Sequence, residues 1–359
     1  MKKPFVPNLL PIVLTAEEKT HLYRLAIDAR VKIERFNALL ERSIINQEVL
    51  MSFSLQEAIQ STRIEGTQTT FNKVLESNIT GEQGTAEREV NNYLEALAVG
   101  KERLRHLPIS TRLFLELHSI LLNDSRGGNR SPNEHRKIQN FVGPTSDIKD
   151  ATYIPPEPQL INKYMSNLEE YINGEIVDDL DPLIRAGIIH GQFETIHPFL
   201  DGNGRIGRIL ITLYLIEQRI ISEPSFFISE ELEKSKHRYY GLLNNLRVPS
   251  PRWREWLEYF LKAASGQATK STQKLERIEE LLASMLTFAR ENQIREDVIK
   301  FMFQKPIFTV KEVETALKIS YNTANAHIRK LAQENKIFGD DKRRNRIFAF
   351  YDIIDILEH

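Results

Sequence analysis

A histidine, a carboxylate, a glycine-flanked asparagine and two arginines lie close together in segment 197–208, HPFLDGNGRIGR. His197 precedes a proline, which favours extended backbone, and an imidazole can accept a proton near neutral pH. Gly202 and Gly204 flank Asn203, so the backbone can take unusual dihedral angles and present successive N–H groups to an anion. The segment therefore combines a candidate general base with a candidate anion site.

Two arginines and an aspartate supply the charges of this segment. Arg205 and Arg208 have the spacing that places side chains on a similar side of a helix, and two such guanidinium groups favour an anion between them. The apolar run 209–216 follows and predicts a buried helix, whose N-terminal end suits a phosphate. Asp201 offers an oxygen ligand for Mg²⁺ beside substrate phosphates, although an Asp-Gly pair is also a common turn. The pattern predicts a nucleotide-phosphate site with a base beside it.

The segment 197–208 resembles the HPFxxGNGRxxR signature of the Fic family at every fixed position, with the acid at Asp201. The resemblance implies a mainly helical fold and transfer of AMP from ATP to a hydroxyl of a target protein, with release of pyrophosphate. It implies that His197 deprotonates the hydroxyl and that Asp201 holds Mg²⁺. The residues implied to bind the ATP phosphates are Gly202, Asn203, Gly204, Arg205 and Arg208, with Arg208 reaching the γ-phosphate. A few relatives use other nucleotide donors.

A second motif lies upstream, STRIEG at 61–66. It resembles the [S/T]xxxE[G/N] inhibitory motif of the Fic subclass that carries its own N-terminal inhibitory helix. The resemblance implies that Ser61 and Glu65 are inhibitory and that Glu65 pairs with Arg208, so that ATP binds with its γ-phosphate misplaced. In the alternative, Glu65 is a solvated or capping residue. Some relatives with this motif also remove AMP, and the sequence leaves that reaction open.

Two further features have counterparts in the family. The strand-like segments 136–143 and 153–156 resemble the β-hairpin flap that holds a target by backbone pairing, so a target is expected along 136–155; a purely structural hairpin is the alternative. Tyr239 and Tyr240 are predicted to line the adenine pocket, although paired tyrosines on a helix are often core residues. His190 lies in an apolar helix, where a buried structural role is expected.

The predicted fold class is mainly α: a Fic-type helical core with a β-hairpin flap, followed by a small winged helix-turn-helix domain. The chain has 359 residues, and roughly one domain per 150 residues predicts two or three domains. We assign residues 1–108 to an N-terminal helical region with the inhibitory helix and 109–264 to the catalytic core. Residues 265–292 form a linker helix, with a boundary at its polar start, and 293–359 form the winged helix.

The C-terminal unit is predicted to form a helix, a turn, a helix and a hairpin. It resembles the winged helices often appended to Fic domains. Polar and basic side chains on its third helix and wing could meet DNA. These are Asn322, Thr323, Asn325, His327, Arg329, Lys330, Lys342, Arg343, Arg344 and Arg346. Acidic residues dilute this basic character, so a protein-contact module is the alternative.

The amino-acid composition excludes several classes of protein and of site. The chain has no cysteine, which excludes disulfides, thiol nucleophiles and Cys-ligated zinc and fits a reducing compartment. The net charge is −1, so no global basic excess indicates nucleic acid. No apolar run approaches the ~18 residues of a membrane span. We expect a cytoplasmic protein that does not engage a membrane.

The leading hypothesis is an autoinhibited protein adenylyltransferase acting on a Tyr, Thr or Ser hydroxyl of a target protein, or of itself. The alternative is a DNA-binding transcriptional regulator whose Fic domain senses nucleotide. An intact His197 favours the enzyme, because a sensor needs no base. The sequence leaves open whether the protein forms a homodimer.

Overall fold

The structure is a computed structural model that describes residues 3–123, 131–145, 147–342 and 345–358. The N-terminal helices are α1 (Ala16–Arg42), α2 (Asn46–Ile64), α3 (Phe71–Thr80) and α4 (Thr85–Arg103). The central helices are α5 (Thr111–Leu121), α6 (Ile161–Ile172), α7 (Pro182–Ile196), α8 (Asn203–Glu217), α9 (Ser229–Lys234), α10 (Lys236–Leu246) and α11 (Trp253–Glu291), with 3₁₀ turns at Ile148–Asp150 and Pro158–Leu160. The C-terminal elements are α12 (Glu296–Gln304), β1 (Ile307–Thr309), α13 (Val310–Leu317), α14 (Tyr321–Gln333), β2 (Phe338–Gly339), β3 (Ile347–Ala349) and α15 (Tyr351–Glu358). The prediction of a mainly α fold is confirmed.

Polar side chains fix several helix starts. Thr15 and Glu18 form the capping box that the sequence predicts at the start of α1, with the Glu18 N–H donating to Thr15 Oγ1 over 3.2 Å. Asp181 accepts the Leu183 N–H at the start of α7, where proline occupies the first turn. These contacts satisfy N–H groups that the first turn of a helix leaves unpaired.

The helices α7 and α8 lie at the centre of the region predicted to be the catalytic core. Nearly every residue of both is buried, including polar and charged side chains such as His190 and Arg208. They pack on each other, α7 also contacts α6, α10 and α11, and α8 also contacts α4. The short connection 197–202 is therefore held between two helices whose positions the core determines.

A single helix, α11, runs through the predicted boundary at 265–272. The sequence predicts that a linker helix begins at this boundary, whereas Trp253–Glu291 is one continuous helix. Its small residues, such as the buried Ala268, allow close packing against α1. Ser265 is bonded to α1 through Asp28 and Lys32, at 2.6 and 2.7 Å. The polar run thus makes an interhelical contact with α1.

The flap is smaller than the predicted hairpin. Val142 and Tyr153 form one isolated antiparallel bridge, with the Val142 N–H donating to the Tyr153 carbonyl over 2.8 Å. The residues after Tyr153 include Pro155 and Pro156, which have no N–H and cannot extend the pairing. Their carbonyls accept hydrogen bonds from Gln139 and Arg136 instead.

The C-terminal part has the predicted order of helix, turn, helix and hairpin. Its three short strands form an antiparallel sheet in the order β1-β3-β2, in which Phe308 pairs with Phe348. The helices α12 and α15 pack against both α2 and α11. The C-terminal unit therefore rests on the helix that carries Ser61. Among the described residues, no helix has both the length and the apolar character needed to cross a membrane.

Candidate active site

His197 ends α7 with left-handed backbone, at φ 50° and ψ 61°. The extended conformation predicted from the following proline is wrong, because the His197 N–H still closes the helix on the Phe193 carbonyl over 2.9 Å. A non-glycine residue in this region costs about 1–3 kcal/mol and persists only where its surroundings hold it. The backbone at His197 therefore needs an external restraint.

The imidazole of His197 is neutral near neutral pH. Desolvation, together with the nearby cations Arg247 and Arg136, lowers its pKa to about 3. Its Nδ1 has no hydrogen-bond partner in the described part of the chain. A neutral imidazole has one unprotonated ring nitrogen, which can accept a proton from a hydroxyl brought within reach.

The loop after His197 is closed by an asparagine side chain. Asn203 Nδ2 donates to the Phe199 carbonyl, and the Phe199 N–H donates to Asn203 Oδ1, both over 2.9 Å. Gly202 takes φ 79°, the left-handed conformation that favours glycine. The amide of Asn203 is therefore used within the loop, and only its backbone N–H at the start of α8 is presented to a ligand.

Asp201 has one bonded and one free carboxylate oxygen. Its Oδ1 accepts the Gly202 N–H over 2.6 Å and lies 3.5 Å from Arg205 Nη2, whereas no hydrogen bond among the described residues uses Oδ2. The side chain is 39 % exposed. A free, accessible carboxylate oxygen fits Mg²⁺, which keeps several waters and binds through one or two carboxylates plus phosphates. The described residues contain no cluster of three or more His, Asp or Glu side chains suited to a metal, so phosphate and water would supply the other ligands.

Guanidinium donors without partners surround the start of α8. Arg205 and Arg208 are 5 % and 1 % exposed. In the described part of the chain, Arg205 Nε and Nη1 and Arg208 Nη1 are buried with no hydrogen-bond partner. Buried donors left unpaired are costly, and an anion at the N-terminus of a helix would satisfy them. The geometry therefore fits a phosphate-bearing ligand.

Arg208 joins the two sequence motifs. Its Nε donates to Ser61 Oγ over 2.8 Å, and its Nη2 donates to the Ser61 carbonyl over 2.9 Å. Nη2 also donates to Glu65 Oε1 over 2.7 Å. The ion pair that the resemblance implies between Glu65 and Arg208 is therefore present in the structure.

The Glu65 carboxylate lies directly over the first turn of α8. A Cβ built on Gly204 would lie 2.2 Å from Glu65 Oε1 and 3.0 Å from Arg208 Nη1. Only a residue without a side chain allows this approach. The carboxylate thus stands at the helix end where unpaired N–H groups and the helix dipole attract an anion.

The two adjacent tyrosines have different surroundings. Tyr239 is 1 % exposed, and its hydroxyl donates to His190 Nε2 over 2.9 Å. Tyr240 is partly exposed, and its hydroxyl donates to the Ile64 carbonyl at the end of α2 over 3.3 Å. Of the pair, Tyr240 has the accessible surface that an adenine pocket needs. A nucleotide-binding role for either tyrosine stays a prediction.

His190 is buried and hydrogen-bonded, as the sequence predicts. Its Nδ1–H donates to the Gly207 carbonyl over 3.1 Å, while Nε2 accepts from Tyr239. The ring therefore links α7, α8 and α10 and uses both nitrogens in its neutral form.

Acid should destabilise the fold through His190. Burial lowers its folded-state pKa to about 3, below the ~6.5 of an unfolded histidine. Its contribution to stability is therefore present above pH 6.5 and is lost as the pH falls toward 3. In His190→Asn the amide can still donate to Gly207 and does not titrate. Urea unfolding at pH 7, 6 and 5 should give a shallower fall in the free energy of unfolding for the variant, by up to about 1.4 kcal/mol per pH unit. Parallel pH dependences would contradict this assignment.

Two arginines outside segment 197–208 also reach the site: Arg136, predicted only as the first residue of the flap, and Arg247, for which no role was predicted. Arg136 contacts the His197 backbone. Arg247 donates to the Glu194 carbonyl over 2.9 Å and lies 4.0 Å from the centre of the Tyr153 ring. No spacing in the sequence relates either arginine to segment 197–208. Tertiary packing brings both of them to the site.

Known families match the two regions that hold these groups. Residues 108–215 match the Fic/DOC family, and residues 23–102 match the Fic/DOC family N-terminal region. Residues 108–215 are a Fic/DOC domain. The domain includes segment 197–208, and the N-terminal region includes the 61–66 motif.

Curated relatives carry the name of an enzyme. Protein adenylyltransferase fic-1 of Caenorhabditis briggsae is 31% identical over 124 residues, which cover 34% of this chain and 22% of the relative. Protein adenylyltransferase Fic of Drosophila willistoni is 30% identical over 156 residues, which cover 43% and 27%. The chain thus spans less than a third of the length of these relatives.

Solved structures share the fold. A Fic family protein from Desulfovibrio desulfuricans matches over 97% of this chain and 98% of its own, with a TM-score of 0.57 and 18% identity. Fic-1 from Caenorhabditis elegans matches over 73% of each chain, with a TM-score of 0.56 and 20% identity. The Fic-type helical fold predicted for the chain is confirmed.

Proposed function

We propose that this chain is a protein adenylyltransferase that transfers AMP from ATP to a hydroxyl side chain of a target protein. The proposal rests on one arrangement in segment 197–208. A neutral imidazole stands beside a helix N-terminus at which three buried guanidinium nitrogens, two of Arg205 and one of Arg208, have no hydrogen-bond partner among the described residues. The names of the curated relatives support this reaction over other uses of a nucleotide.

The arrangement accounts for each requirement of the transfer. His197 accepts the proton of the target hydroxyl as its oxygen attacks the α-phosphorus of ATP. The bond from that phosphorus to the β-phosphate oxygen breaks, and pyrophosphate leaves. The N–H groups of α8 with Arg205 and Arg208 stabilise the negative charge on the phosphate oxygens. Asp201 would hold Mg²⁺, which supplies further charge neutralisation when bound.

We infer that Glu65 inhibits this reaction by competition. Its carboxylate contacts Arg208 and stands over Gly204. A γ-phosphate placed between α8 and Arg208 would require the same space and the same donors. A hydrogen bond between charged groups is worth about 1.5–3 kcal/mol, which holds most molecules inhibited and is still reversible by a conformational change. Removal of AMP, with Glu65 positioning water, is a further reaction of the same site.

The target hydroxyl is proposed to approach along the flap, with the chain itself as one target. The wild type and the Glu65→Gly and His197→Ala variants are incubated with ATP and cell lysate, and mass spectrometry searches for AMP adducts on Tyr, Thr and Ser. We expect adducts with Glu65→Gly and none above background with His197→Ala. If Glu65→Gly forms no adduct on any protein, itself included, the proposed activity is wrong.

DNA binding by the C-terminal unit is a second proposed function, supported by one groove. It has a volume of about 1960 Å³ and lies between 78–80 of α3 and the elements β1 to β3, including the face of α14. Lys305 is paired with Glu312, whereas Lys311 and Arg329 have no ion-pair partner in the described part of the chain. Two free cations beside a polar helix face suit phosphates and base edges.

Not every basic residue predicted to meet DNA is free to do so. Lys330 Nζ donates to the Asn292 carbonyl at the end of α11. Arg346 donates to the carbonyls of Asp340 and Gly339, at 2.6 and 3.2 Å, and so stabilises the wing. Arg343 and Arg344, which were also predicted to meet DNA, lie outside the described residues. Arg329 is exposed and remains the strongest candidate.

A gel shift with genomic fragments at low salt tests DNA binding. We expect a shifted complex that weakens as salt rises, because phosphate contacts release counterions. Arg329→Ala should weaken it by roughly tenfold or more, whereas Arg254→Ala, an exposed site on α11, should not. Absence of a complex at low salt would remove DNA from the proposal.

A further inference from the structure

We propose that Arg136 is a positioning residue that couples the target-binding flap to the catalytic histidine. This inference rests on the proposed adenylyl transfer. Arg136 lies at the start of the flap, far from segment 197–208 in sequence, and is 2 % exposed. Its side chain holds both the His197 backbone and the returning limb of the flap.

The contacts of Arg136 are directed at backbone carbonyls. Nε donates to the His197 carbonyl over 2.9 Å, and Nη2 donates to the Pro156 carbonyl over 2.5 Å. The Arg136 backbone N–H donates to the Pro198 carbonyl over 2.9 Å. One residue therefore connects two consecutive carbonyls of the catalytic turn with the far limb of the flap.

A second flap residue continues this line of contacts. Asn140 Nδ2 donates to the Phe199 carbonyl over 3.1 Å. The carbonyls of His197, Pro198 and Phe199 are thus all bound by donors from 136–140. The turn that contains the proposed base is fixed from outside by the segment that is proposed to hold the target.

This restraint is what the backbone of His197 requires. A left-handed histidine is unfavourable in isolation, and the bond from Arg136 fixes the direction of its carbonyl. If the bond were lost, the turn could relax and the imidazole would move. A misplacement of about 1 Å at a reacting group can cost about 100-fold in rate.

The charge of Arg136 adds an electrostatic effect. Burial lowers its pKa to about 10, so the guanidinium is still protonated at neutral pH. No described carboxylate forms an ion pair with it. A buried cation held by neutral carbonyls disfavours a second positive charge on the neighbouring imidazole. Arg136 therefore orients His197 and adds to the desolvation and the charge of Arg247 that keep it neutral.

The test compares Arg136→Gln and Arg136→Lys in the Glu65→Gly background. We expect Arg136→Gln to lower kcat for AMP transfer by roughly 100-fold, while the Kd for ATP stays within about twofold because the α8 donors are unchanged. Arg136→Lys keeps the charge and should recover part of kcat. Arg254→Gln, at an exposed site on α11, is the matched control and should leave kcat unchanged. An Arg136→Gln protein that binds ATP and retains full kcat would overturn the proposal.

A second measurement decides the proposal without any catalytic turnover. NMR titration of the His197 ring should show its pKa moving upward in Arg136→Gln but not in Arg254→Gln. A His197 titration that is identical in Arg136→Gln and the parent overturns the proposal, even if no target is modified. Loss of adducts from all proteins with a shifted His197 titration would instead count against the proposed function alone.

Discussion

Replacing Glu65 with glycine is expected to raise AMP transfer by about 10- to 100-fold. The wild-type carboxylate contacts Arg208 over 2.7 Å and stands over the first turn of α8. Removing it frees a buried guanidinium for the γ-phosphate and opens the space above Gly204. The expected factor is the loss of one charge-assisted hydrogen bond of about 1.5–3 kcal/mol, converted at about 1.4 kcal/mol per tenfold.

The measurement is incorporation of label from α-labelled ATP into protein. Glu82→Gly removes an exposed glutamate between α3 and α4 and is the matched control, expected to behave like the wild type. Glu65→Gln keeps the size of the side chain without its charge and should fall between the wild type and Glu65→Gly. Labelling of Glu65→Gly no greater than that of the wild type would show that this ion pair does not restrain the reaction.

Replacing His197 is expected to lower transfer by about 100- to 10,000-fold in the Glu65→Gly background. That range is typical for loss of a positioned general base. Because the phosphate-binding donors lie on α8, binding of ATP should persist. The loss should therefore appear in kcat rather than in the Kd for ATP.

The backbone at His197 makes the choice of variant important. Alanine tolerates φ 50° poorly, whereas asparagine tolerates this region better. We therefore expect both His197→Ala and His197→Asn to lose transfer, with Asn keeping more of the thermal stability. His106→Ala, at an exposed histidine before α5, is the control. Transfer by His197→Asn at the parent rate would exclude His197 as the base.

The first prediction concerns a carboxylate, Glu65, whose position depends on α2. That helix carries Ser61 and ends next to Glu65, and it packs against α12 and α15 of the C-terminal unit. A change in how the C-terminal unit packs would therefore reach Glu65 without passing through the catalytic loop. The gel-shift assay on Arg329→Ala and the labelling assay on Glu65→Gly can be combined to measure this coupling between the C-terminal unit and Glu65.

The local features of the fold could be predicted from the sequence. The capping box at Thr15 and Glu18, the buried helix after Arg208 and the order of elements in the C-terminal part all follow from neighbours a few residues apart. The pair of Glu65 and Arg208 is a contact over a sequence separation of 143, and it was expected only because each motif resembles one in a known family. No periodicity or spacing in the chain specifies it.

The segment 197–208 by itself determined which groups the site contains: an imidazole, a carboxylate, two guanidinium groups and a glycine-rich helix start. Only the tertiary structure decided how they are held. It placed His197 in the left-handed region and brought Arg136 to its carbonyl. It also buried Tyr239, whose hydroxyl donates to His190. The chemical identity of a site depends on residue types, whereas backbone conformation and burial depend on contacts between segments that are distant in sequence.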